Sequence, residues 1–76
     1  MFKNDIQLYS TIGRNLKIKR INKNITQQQL AEHSGVSLSL ISKLESQKCL
    51  KSVSISTLNT LANELEITLT SLMEEN

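Results

Sequence analysis

The sequence predicts an all-α domain of five helices, and three observations carry that expectation. Breakers are nearly absent: there is no proline, and Gly13 and Gly35 are the only glycines among 76 residues. Thr26, Ser37 and Thr68 stand where helices should begin, each able to accept a backbone N–H with its hydroxyl oxygen. Apolar residues recur three and four apart through most of the chain, which puts them on one side of a helix. Leu, Ile, Val and Phe make up 23 residues, too many for a disordered chain. A domain this short buries only about 60% of its unfolded surface, so stability is expected to be marginal or shared with a partner subunit.

The first helix is expected from about Leu8 to Lys23. Ile12 and Leu16, with Ile18 and Ile21, form its apolar side, and Lys17, Lys19, Arg20 and Lys23 its basic one. Asn24 follows as a terminating residue, since asparagine tolerates a left-handed backbone. The second helix has the clearest start. Thr26-Gln27-Gln28-Gln29 is a capping box, and Ile25 before it can pack on Leu30. That helix stops near Ser34, where Gly35 can take a positive φ and turn the chain.

The third helix takes Ser37 as its cap and runs to about Ser46. Wound at about 100° per residue, it turns Ser37, Leu40, Ile41 and Leu44 inward. Leu38, Ser39, Ser42, Lys43 and Ser46 then cover the outer face, which is small, polar and nearly free of acid. A loop over 47–52 carries Lys48, Cys49 and Lys51. The fourth helix, from about Ser54 to Leu65, has Ile55, Leu58, Leu61, Ala62 and Leu65 at core spacing. Thr68 opens a short last helix with Leu69, Leu72 and Met73.

Composition excludes several classes. A single cysteine, Cys49, rules out an intrachain disulfide framework and fits a reducing, cytoplasmic setting. One His, one Cys and one Asp (His33, Cys49 and Asp5) give no ordinary metal site and no cofactor, and they speak against hydrolase chemistry or any other enzyme. No apolar run approaches the about 20 residues that span a membrane, and no secretory signal is expected.

The net charge of +2 hides an asymmetry. All nine basic residues lie at or before Lys51, opposed there only by Asp5, Glu32 and Glu45. The remainder carries Glu64, Glu66, Glu74 and Glu75 and no basic residue. One reading is a polyanion on the basic side; the other is a merely solvated lysine face. Two aromatics, Phe2 and Tyr9, make a base-stacking platform for single strands improbable.

A short helix, a glycine turn and a second helix are the parts of a helix-turn-helix. Ala31 fits the close crossing, Gly35 the turn, and Ile41 the wedge that holds the angle. With its flanks, this string closely resembles the phage Cro and repressor family of DNA-binding regulators. The matching residues are Ile12-Gly13 with Leu16 and Arg20, Ile25-Thr26-Gln27, Leu30-Ala31, Gly35-Val36-Ser37, Ile41-Ser42-Lys43-Leu44-Glu45, Leu58, Leu61-Ala62, Leu65, Ile67, Leu69 and Leu72. The resemblance covers about residues 11–73, with the helix-turn-helix at 26–46, and is similar in size to small phage regulators and restriction–modification controller proteins. Gln47 stands where the family often has glycine, and Val53 where it usually has proline.

The resemblance implies a compact five-helix, lambda-repressor-like fold filling residues 1–76 as one domain. It implies a sequence-specific regulator of transcription, in the first instance a repressor, that binds a palindromic operator in double-stranded DNA as a homodimer with helix three in the major groove. Gln27 matches a phosphate-contacting glutamine, its alternative role being a plain capping residue. Ser37, Leu38, Ser39, Ser42 and Lys43 match groove-facing positions, and Lys48 a phosphate contact. Leu38 either meets thymine methyl groups or packs on its own protein. Arg20 and Glu45 match an ion pair tying helix one to helix three. Ile67, Leu69, Leu72 and Met73 either form a dimer interface or close the core. The rival class is a protein-interaction module of the same fold, such as an antitoxin with a partner protein on its apolar end.

Overall fold

The structure is a computed structural model that describes residues 4–47 and 53–75. It contains α1 (Asp5–Asn22), α2 (Gln27–Ser34), α3 (Leu38–Glu45), α4 (Ile55–Glu64) and α5 (Leu69–Leu72), with no strand among the described residues. Thr26, Ser37, Ser54 and Thr68 each accept the backbone N–H three residues on, and the Thr26–Gln29 box is complete in both directions. α1 starts one turn earlier than the expected Leu8. Asn4 takes an extended backbone and accepts from the Gln7 N–H at 2.9 Å, and Asp5 adds a negative charge to the first turn, where the helix dipole favours it.

The helix ends explain how a chain with two glycines makes four turns. α2 stops on Gly35 at φ +77°. The other three stops fall on residues with a Cβ: Asn24 after α1 at φ +60°, Gln47 after α3 at +65° and Glu66 after α4 at +58°. After α4, the Glu66 and Ile67 N–H groups bond back to Asn63 and Ala62, and half-buried Ile67 packs on the core, which together make a Schellman turn. Asn24 and Ile25 repeat the pattern on Ile21 and Arg20. Lys23 and Glu66 link the ends of α1 and α4 by an exposed ion pair at 2.7 Å. Its hydrogen bond holds the Glu66 carboxyl below the usual range. A left-handed backbone costs a residue with a Cβ about 1–2 kcal/mol. Gln47→Gly should therefore stabilise the fold by about 1 kcal/mol, read as a raised denaturation midpoint with unchanged slope in urea.

The core is drawn from all five helices: Ile12 and Leu16 of α1, Leu30 of α2, Ile41 and Leu44 of α3, Leu58, Leu61 and Ala62 of α4 with Leu65 at its end, and Leu72 of α5. α1 packs against α3 and α5, and α2 against α3 and α4. Three apolar assignments are corrected. Ile18 and Ile21 are exposed, because they lie about 140–200° around α1 from Leu16, away from α3 and α5. Ile55 sits on the same side of α4 as Ala62, but in the first turn, where it remains 66% exposed.

Two α1 residues set its docking. Gly13 lets α1 lie directly on α3: a Cβ there would overlap the Leu44 carbonyl oxygen and come within 2.9 Å of its carbonyl carbon. Buried Asn15 aims its amide nitrogen at the end of α5, donating to the carbonyls of Leu72 at 2.9 Å and Glu74 at 2.8 Å. A four-residue helix has little stability of its own, and Asn15 supplies partners for carbonyls that its short ladder leaves over.

Candidate nucleic-acid interface

α3 is split lengthwise. Ile41, Leu44 and Glu45 are buried and Leu40 is half-buried, while Leu38, Ser39, Ser42 and Lys43 are exposed. Ser37 is also exposed rather than turned inward, and its Oγ accepts from the Leu40 N–H at 3.1 Å, so its hydroxyl serves first as a cap. Ser46 bonds back to the Lys43 carbonyl at 2.9 Å. Leu38 is 43% exposed, which is high for a leucine and puts its methyl groups beside the serines. No carboxylate lies on this outer face. Lys43 has no ion-pair partner among the described residues, so its ammonium is free to meet an external anion.

The one acidic residue of α3 points the other way. Glu45 takes a side-on fork from Arg20: Nε to Oε2 at 2.7 Å and Nη2 to Oε1 at 2.8 Å. Nη1 of the same guanidinium donates to the Ile25 carbonyl at 2.8 Å. The two side chains are 11% and 3% exposed, so the pair is held largely out of water. The hydrogen bond to Glu45 keeps the Arg20 guanidinium even more firmly protonated than an ordinary arginine. Arg20 thereby joins the end of α1, the entry to α2 and the end of α3, fixing how the outer face of α3 is presented.

Gln27, the first residue of α2, is half-buried, and its Nε2 donates to Oε1 of Glu45 at 3.0 Å. Its place at a helix start follows from the local capping box. Its bond to a residue 18 positions on has no local sequence signal. The same holds for Asn15, whose partners lie 57 and 59 residues away. Lys48 falls outside the described residues, as do Cys49 and Lys51. Arg14 and Lys17 are exposed on α1 and His33 is exposed on α2.

At the acidic end, Ile67, Leu69 and Met73 are half-buried, each packing on the core while keeping some surface. Leu72 is completely buried within its own chain, so it closes the core and offers nothing to a partner. Among the described residues, no cluster of three metal-ligating side chains occurs and no helix is long and apolar enough to cross a membrane.

A family model described as helix-turn-helix matches residues 16–72, which is most of the chain and includes α2, α3 and the Arg20–Glu45 pair. The crystal structure of a hypothetical transcription factor, NHTF, from Neisseria is similar in fold. The TM-score is 0.81 at 20% identity, over 97% of this chain and 83% of that one. No curated protein matches.

Proposed function

We propose, from the premise that this chain belongs to the helix-turn-helix family, that it is a sequence-specific regulator of transcription that binds double-stranded DNA as a homodimer. The observation that carries this reading is the outer face of α3: exposed, free of carboxylates, lined by small side chains, and centred on an unpaired lysine. An α-helix with its side chains is about 10–12 Å across, which suits a major groove about 12 Å wide. Small serines let the helix approach closely, Lys43 donates to guanine O6 and N7, and Leu38 packs on thymine methyl groups.

Gln27, at the start of α2, contacts a backbone phosphate beside the groove, and such contacts supply position and affinity rather than sequence choice. The partly exposed Ile67, Leu69 and Met73 join two copies. Two α3 helices then enter successive major grooves about 34–36 Å apart and read a palindromic operator. The chain acts as one domain over residues 1–76. It represses by occupying the operator.

Selection from a randomised duplex library tests this directly. The expected product is a motif with two inverted half-sites, and failure to enrich any motif would reject the reading. Lys43→Ala should relax preference at one base position per half-site by about 1–3 kcal/mol while leaving the melting curve unchanged. An unaltered motif would remove Lys43 from base readout. Binding should also weaken steeply with salt, by about one unit of log–log slope per neutralised phosphate.

A further inference from the structure

Gln27 makes one side-chain hydrogen bond among the described residues, and it runs inward to Glu45. An ionised carboxylate only accepts, so the amide nitrogen must face it and the amide cannot be flipped. One N–H is used in that bond. The second N–H and the carbonyl oxygen are left for outside partners. The carboxylate is itself held by both arms of the Arg20 fork, on a side chain only 3% exposed.

We propose that Glu45 is a positioning residue for the DNA backbone, its Arg20-held carboxylate fixing the Gln27 amide so that the remaining N–H is presented to a phosphate. The inference rests on the DNA-binding reading above. Gln27 without this bond is a flexible side chain whose ordering would be charged against binding; with it, the ordering is complete before DNA arrives. Arg20 has a second part in this arrangement. It neutralises a carboxylate that would otherwise stand next to the phosphate site and repel it.

The test is a cycle on DNA affinity. Gln27→Ala is made in the natural chain and in a chain carrying Arg20→Met with Glu45→Met, each shown to be folded by circular dichroism. All four are titrated against a random-sequence duplex and against the selected operator. Arg20→Met with Glu45→Met should weaken binding to both duplexes, by about threefold to tenfold per protomer. Gln27→Ala should then cost clearly less in that background than in the natural chain. Equal cost in the two backgrounds overturns the proposal.

Nuclear magnetic resonance on the natural chain gives a reading that needs no variant to fold. The side-chain amide of Gln27 should exchange its protons with water more slowly than that of exposed Gln28, and should shift when duplex is added. Exchange as fast as Gln28 would overturn the proposal. A chain that binds no duplex would sink the regulator reading instead, while the free-state amide still reports the Glu45 bond.

Discussion

Gly13→Ala should destabilise the fold by about 2–3 kcal/mol, although alanine is the better helix former by about 1 kcal/mol. The sign is the test. Helix propensity acts within α1 and favours the substitution. The opposing term is steric: the new methyl group would overlap the Leu44 carbonyl oxygen, and the atoms it meets are backbone. A flexible side chain could rotate away, but α3 can yield only by moving as a unit, which would disturb Ile41 and Leu44 in the core. In a domain of this size the loss corresponds to a melting temperature lower by about 10–20 °C. Gly35→Ala is the comparison. Its Cβ would meet open space, so only the left-handed backbone penalty of about 1–2 kcal/mol applies. A Gly13→Ala chain that melts at or above the natural one would show that α1 and α3 are not in the close contact described.

The second large effect should come from Glu45→Met alone. It leaves the Arg20 guanidinium, 11% exposed, without its carboxylate, and breaking one side of a buried pair costs about 3–5 kcal/mol. Small domains have total stabilities of about 0.05–0.15 kcal/mol per residue, about 4–11 kcal/mol for this one, so this variant should lose a large part of its stability. Adding Arg20→Met should recover most of the loss, because two well-packed apolar side chains escape the desolvation penalty of two charges. Urea titrations of the two single variants and the double variant give the coupling. Independent, additive losses would mean that the two charges do not depend on one another.

What was legible in the sequence was local. Thr26, Ser37 and Thr68 mark helix starts because a cap acts three residues on; Asn4 with Gln7 carries the same signal for α1, and the expected start at Leu8 passed over it. Gly35 and Asn24 mark helix ends through their own φ angles. Leu16, Leu30, Ile41, Leu58 and Leu61 are core residues because helical spacing repeats across each helix. The same spacing mistook Ile18, Ile21 and Ile55, since periodicity says which residues share a face and not how far a neighbour covers it. Exposure of Leu38, Ser39, Ser42 and Lys43 follows from winding α3 alone. The bond from Gln27 to Glu45 and the grip of Asn15 on α5 were out of reach, because each joins helices that are far apart in sequence. Leu72 shows the same limit: an apolar residue beside an acidic tail reads equally well as interface or interior, and packing alone decided for interior.

The lengthwise division of α3 separates two kinds of selective pressure. Changes at Ser39, Ser42 or Lys43 leave Ile41, Leu44 and Glu45 undisturbed, so the frame tolerates a rewritten vocabulary. On the reading proposed above, a gene copy drifts to a new operator through viable single steps, and a different reading face can be grafted onto the same scaffold.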